Sequence, residues 1–321
     1  MAVMVKYSIT LYIPIAAILI SPTQQSLFIP YRQGQLHLRY IPAQTSRKHV
    51  TPILMLHGAM SNGRVFYSDS GRGLGCFMAQ HGFDVYVLDT AGRGKSTPLI
   101  DKQYELGQGE VIREQLPLVQ SFILARHPMA SKVHWCAHSW GGVLMASSLA
   151  RFADLQTSVA SLLTFGSKRT IKIKSLRKWL MVDLFWNRFA PFCVSKQGFF
   201  DANRYRFGMD NESHQSLLQS IDWVRGEWID HDDQFNYALA AQNVNWPKAW
   251  FIAGENDTVL GNPSDVQDMM AECGFQAAKY TLLAKKHGYL NDYGHADMLT
   301  HKQANDDHFI QIKKWYLEQN D

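Results

Sequence analysis

The chain has 321 residues, with 32 basic against 28 acidic side chains and a formal net charge of +4. A content of 46% hydrophobic and 12% aromatic residues can fill a sizeable core and excludes a disordered, collagenous or coiled-coil chain. So mild a positive excess does not argue for nucleic acid, and no helix-turn-helix, zinc-finger or RNA-binding signature is present.

Behind Lys6, residues 7–20 (YSITLYIPIAAILI) form an apolar run interrupted by Pro14. A bilayer-spanning helix needs about 20 apolar residues, and no small-residue cleavage site follows. Residues 1–25 are therefore expected to be an apolar extension of a cytoplasmic protein. Export, membrane anchoring or membrane-surface association through residues 7–20 is the alternative. Ser26 to Pro42 predicts two strands around a turn at Gly34. PILMLHG (Pro52–Gly58) and DVYVLD (Asp84–Asp89) are short continuous apolar runs, as expected of strands buried on both faces. Helical spacing from Glu110 to His127 stops before Pro128. KVHWCAHS (Lys132–Ser139) is a fifth strand, followed by the helical WGGVLMASSLARF, and SVASLLTFGS (Ser158–Ser167) is a sixth. This alternation predicts a mainly parallel sheet flanked by helices.

From Lys168 to Trp246 the alternation stops, and 14 of the chain's 39 aromatic side chains crowd into this stretch. It resumes with AWFIAGEND (Ala249–Asp257), a helix opened by Asn262-Pro263-Ser264, the strand AKYTLLA (Ala278–Ala284) and a final helix from about Ala296. The expected organisation is a core in two parts, 26–167 and 247–321, with a helical cap at 168–246 inserted after the sixth strand. The run KRTIKIKSLRK (Lys168–Lys178) holds six basic residues in eleven and reads first as a solvated face, or else as an attractor for an anionic substrate or membrane surface. The four widely spaced cysteines (Cys76, Cys136, Cys193, Cys273) read as buried free thiols that favour a reducing compartment.

AHSWGG (Ala137–Gly142) joins a buried strand to a helix. Small residues around Ser139 allow a tight, strained turn that exposes its hydroxyl above the free N–H groups of a helix N-terminus. Three further segments suit the same chemistry. HGAMSNGRVF (His57–Phe66) follows a buried strand and offers a second oxyanion donor, Ala59 N–H, beside that of Trp140. GEND (Gly254–Asp257) presents Asp257, with Glu255 as the rival acid. DYGHAD (Asp292–Asp297) presents His295, with His287 as the rival base. The string GRGKS has the wrong spacing for a phosphate loop, because Asp89 stands where glycine is required. No metal-ligand cluster or cofactor motif is found, so neither a metal nor a cofactor is expected.

With these segments, and with DTAGRGKS (Asp89–Ser96), the sequence from Ser26 onward resembles the α/β-hydrolase superfamily, and HGAMSNGRVF and YGHADML most resemble its lipase and esterase branches. Ala137 departs from the usual glycine without removing a catalytic group. The resemblance implies the α/β-hydrolase fold and a serine hydrolase that cleaves carboxylic esters of small or lipid-like substrates through an acyl-enzyme. Ser139 would be the nucleophile, His295 the general base and Asp257 its orienting acid, and residue chemistry agrees. His57, Met60, Trp179, Phe185 and Trp186 are candidate substrate contacts. Thioester hydrolysis, C–C bond hydrolysis, acyl transfer and non-catalytic binding on the same fold are the competing readings.

Overall fold

The computed structural model describes residues 23–46, 48–275 and 277–319; the extension expected at residues 7–20 lies outside them. Eight strands form one sheet: β1 (Gln25–Tyr31), β2 (Gly34–Ile41), β3 (Ile53–Leu56), β4 (Val85–Asp89), β5 (Val133–His138), β6 (Val159–Phe165), β7 (Lys248–Gly254) and β8 (Lys279–Leu283). The order across the sheet is β1-β2-β4-β3-β5-β6-β7-β8. The β1–β2 and β2–β4 pairs are antiparallel, and every other pair is parallel.

The apolar runs become central strands because both of their faces are covered. Successive side chains of a strand point to opposite faces, and here the alternation divides one run between two cores. Leu54, Leu56, Tyr86, Leu88, Trp135 and Ala137 join the core beneath α2 (Leu116–Arg126), α3 (Trp140–Arg151) and α6 (Pro263–Glu272). Ile53, Met55, Val85, Val87 and Cys136 face the opposite core, with α1 (Leu74–Gln80) and α7 (His308–Leu317). All four cysteines are buried free thiols.

Between β6 and β7 the chain leaves the layered pattern. A helical run occupies 176–197 and ends in α4 (Ala190–Gln197), a two-residue ladder pairs Phe199–Phe200 with Glu212–Ser213, and α5 (His214–Arg225) follows. Ala190, Cys193, Val194, Phe200, Leu217 and Ile221 form a small core of their own. Polar ties bind this segment to the sheet's loops. Met209 and Asp210 N–H both donate to the Met60 carbonyl, at 2.7 and 3.2 Å. Asn62 Nδ2 donates to Asp210 Oδ2 at 2.7 Å, and Arg93 forms a buried ion pair with Glu212.

The basic run does not behave as one solvated face. Lys172 pairs with Asp268 at 2.9 Å and Lys178 with Asp183 at 2.7 Å, both near the surface. Arg169 is buried and pairs with Glu272, and Lys168 is buried as well. The reason is position: the chain leaving β6 runs inward over the end of the sheet before it surfaces.

The C-terminal helix predicted from about Ala296 is broken. A short turn of helix at Asp297–Thr300 and a tighter turn at Lys302–Asp306 precede α7.

Candidate functional site

The C-terminal ends of β3, β5, β6, β7 and β8 share one edge of the sheet, where parallel strands gather their loops. Between β5 and α3, Ser139 has φ 54° and ψ −126°. A non-glycine residue in such a region stores about 1–3 kcal/mol of strain and needs support from its surroundings. Ser139 N–H donates to the Phe165 carbonyl at 2.8 Å, and the Ser139 carbonyl accepts Gly142 N–H at 3.1 Å.

Two glycines allow the loop after β3 to lie against this turn. A Cβ on Gly58 would stand 2.9 Å from Ser139 Cβ, and one on Gly141 would press into the carbonyl oxygens of His57 and Leu56, the latter at 2.7 Å. These are backbone atoms that cannot swing aside. Gly141→Ala is therefore expected to destabilise the protein by about 1–3 kcal/mol and to displace Ser139, measurable as a lower midpoint in thermal unfolding.

Asp257 lies just beyond β7 and His295 in the loop after β8. The Asp257 side chain is 3% exposed and that of His295 17%. Asp257 Oδ1 accepts Gly261 N–H at 2.9 Å, and Oδ2 lies 2.5 Å from His295 Nδ1. Gly166, at φ +58°, makes room for the pair: a Cβ there would be 3.0 Å from His295 Nδ1. Burial by itself would raise the Asp257 carboxyl. The hydrogen bond and charge of His295, the Gly261 N–H and the Lys168 ammonium outweigh it and hold the group below the usual carboxylate range.

The rival residues lie elsewhere. Glu255 Oε1 pairs with Lys286 Nζ at 2.7 Å, and His287 is exposed on a short turn. The His138 ring lies tilted against that of His295 with centroids 4.6 Å apart, and its Nε2–H donates to the His295 carbonyl at 3.0 Å. Burial, aided by the neighbouring His295, pushes His138 down to about 3, so it supports His295 as a neutral ring.

Ser139 and His295 line one cavity of about 440 Å³ together with Met60, Met181, Val182, Trp186 and Phe207. Among the described residues no hydrogen bond joins the Ser139 hydroxyl to the His295 ring. Ala59 and Trp140 border the same space. Among the described residues their N–H groups donate to no acceptor, as a loop and a helix first turn leave them free to do.

The candidate substrate contacts divide. Met60 and Trp186 line the cavity, while the other three do not. Trp179 is 49% exposed on the outer surface. Phe185 packs on Phe207 and Phe200 at centroid distances of 4.2 and 5.7 Å, within the small core of the inserted segment. His57 is buried beneath the loop, its Nδ1 2.8 Å from the Gly58 carbonyl oxygen. A helical pattern of aromatics announces an apolar face without saying what that face meets.

Asp89 rules out a phosphate cradle in GRGKS. Its carboxylate accepts Gly63 N–H at 2.7 Å and Lys95 N–H at 3.0 Å and contacts His37 Nδ1 at 2.7 Å, closing the loop on itself.

The sequence profile of the α/β-hydrolase fold matches residues 51–216, which span the loop after β3, the Ser139 turn and much of the inserted segment. The chain belongs to the α/β-hydrolase family. Solved structures share its architecture at low identity. A soluble variant of monoglyceride lipase from Saccharomyces cerevisiae, in complex with a substrate analogue, has a TM-score of 0.68 and 12% identity over 92% of this chain and 95% of that one. A thermophilic esterase from Thermogutta terrifontis has a TM-score of 0.55 and 13% identity over 92% of this chain and 100% of its own. A thioesterase domain from the curacin biosynthetic pathway has 0.54 and 13%, over 92% and 99%. A comparison with curated protein sequences finds no match.

In this α/β-hydrolase, sequence reasoning missed Lys168 and the stretch Arg206–Met209 as cavity walls. The available signals were the basic run that Lys168 opens and its site, three residues beyond a central strand and at the edge where the other loops converge. Among the described residues no group of His, Cys, Asp and Glu could hold a metal, and no helix is long and apolar enough to cross a membrane.

Proposed function

We propose that this α/β-hydrolase is a serine hydrolase that cleaves carboxylic esters through an acyl-enzyme. The observation that carries this reading is the 2.5 Å contact of His295 Nδ1 with the buried Asp257 carboxylate, in a cavity that His295 shares with the strained Ser139 turn. With Nδ1–H donated to Asp257, the Nε2 lone pair is free to take the Ser139 proton as Oγ attacks the ester carbonyl. The unoccupied N–H groups of Ala59 and Trp140 stabilise the oxyanion, and each such donor is typically worth about 3 kcal/mol in the transition state. Collapse expels the alcohol, protonated by His295, and water activated by the same ring releases the acid. Residues 168–246 act as a cap, because Met181, Val182, Trp186 and Phe207 from that segment wall the cavity above Ser139.

The test is hydrolysis of p-nitrophenyl esters from acetate to palmitate. Measurable turnover is expected, and the mainly apolar walls favour an acyl chain longer than acetate. Failure on every ester, alongside turnover of a thioester, would transfer the same triad to thioester chemistry.

A further inference from the structure

The Ser139 cavity has apolar walls but is not electrically neutral. Lys168 lines it, is only 6% exposed and follows β6 through Gly166 and Ser167. Among the described residues no carboxylate, hydroxyl or carbonyl bonds its ammonium. Its recorded neighbour is the Trp140 ring, with Nζ 5.7 Å from the centroid. Arg206, at the exposed rim of the same cavity, makes no ion pair among the described residues either, and no described Asp or Glu contributes to the lining.

An ammonium removed from water without a partner is costly, and proteins pair such groups or discharge them. Burial lowers Lys168 to about 8, against the opposing pull of Asp257 and Asp265, so it remains cationic at neutral pH. The carboxylate of Asp257 is already engaged by His295 and Gly261. The Lys168 charge therefore feels Asp257 and Asp265 only through space and makes no direct ion pair with either, in an apolar space beside the reacting serine.

We propose that Lys168 is a specificity-determining residue that binds an anionic group of the substrate, so that the site takes esters carrying a carboxylate or phosphate on an otherwise apolar body. The proposal rests on the serine-hydrolase reading of the cavity and narrows its substrate class. Arg206 at the rim adds attraction for the same charge, and the Met60, Met181, Val182 and Phe207 side chains take the apolar part. An anion meeting a buried cation forms a charge-assisted hydrogen bond, stronger than one between neutral groups.

Two substrate pairs test the proposal and separate the sources of charge. The first pair is the mono-p-nitrophenyl ester of adipic acid beside its neutral methyl-capped form, which places a carboxylate on the acyl side. The second is oleoyl lysophosphatidate beside mono-oleoylglycerol, which places a phosphate on the alcohol side. Wild-type enzyme is expected to prefer the charged member of at least one pair by about 10- to 100-fold in kcat/KM. Lys168→Met should collapse that ratio, and Lys168→Arg should restore part of it. A wild-type preference for the neutral member of both pairs would overturn the proposal without any variant. So would a charge preference that survives Lys168→Met, or an equal fall for both members, which would confine Lys168 to positioning Asp257. If no ester of either charge is hydrolysed, the carboxylic-ester reading has failed, and the anion site is read separately by calorimetry. Octyl phosphate should then bind wild type more tightly than octanol does, and Lys168→Met should remove the difference; equal binding of the two would reject the site.

Discussion

Ser139→Ala is expected to lower kcat/KM on any ester the enzyme accepts by about 10⁴- to 10⁶-fold, the loss typical of removing a serine nucleophile. The substitution deletes one hydroxyl and leaves the turn's supports in place. The Ser139 N–H bond to Phe165, the carbonyl that accepts Gly142 N–H and the close contact with Gly58 all use backbone or Cβ atoms. Alanine meets the same φ of 54° at a similar cost, so the strain is neither relieved nor increased. Thermal unfolding should accordingly stay within about 0.5 kcal/mol of wild type, the usual range for a change that creates no cavity or buried orphan. Kinetics and a melting curve on the same preparation separate this outcome from misfolding. Retained activity would mean that another group attacks.

Asp257→Asn should cost about 10⁴-fold in kcat with little change in KM. Asparagine keeps the volume and can still accept Gly261 N–H, so the buried corner behind His295 remains filled. Its NH₂ can also point at His295 Nδ1, which then becomes the acceptor and places the ring proton on Nε2, where the lone pair is needed. The imidazolium formed during attack also loses its counter-charge. Glu255→Gln is the matched control: Glu255 engages Lys286 on an exposed turn, and its loss should leave kcat unaltered. The reverse pattern would transfer the acid's role to Glu255.

Much of the fold could be read from the chain because its strongest signals are local. Ile53–Leu56 and residues 85–88 are continuous apolar runs, and a strand covered on both sides buries every residue of such a run. Asn262 before Pro263 opened a helix as expected, its side chain capping Ser264 N–H. The tight Ser139 turn was legible because small residues flank a serine between strand and helix. The C-terminal helix was less so, since Asp297–Thr300 and α7 form one apolar pattern but are joined through a turn at His301 and Asp307.

The inserted segment shows where local signals stop. Trp179, Phe185 and Trp186 fall on one apolar helical stretch, yet Trp179 faces outward, Phe185 fills the segment's own core and Trp186 reaches the cavity. The three destinations look alike in periodicity, and only the packing of the segment on its own core and on the loop at Met60 tells them apart.

The alternation of strands and helices, the serine turn, and the loops that carry Asp257 and His295 are legible in the chain alone, because each is written in residues close along it. Packing of distant segments settles which acid meets the histidine, which side chains of the insertion wall the cavity, and that the first lysine of a basic run is carried inside. Those outcomes depend on contacts between segments far apart in sequence, such as Gly166 with His295 or Lys168 with Trp140, and burial there is set by the end of a sheet that no single segment contains.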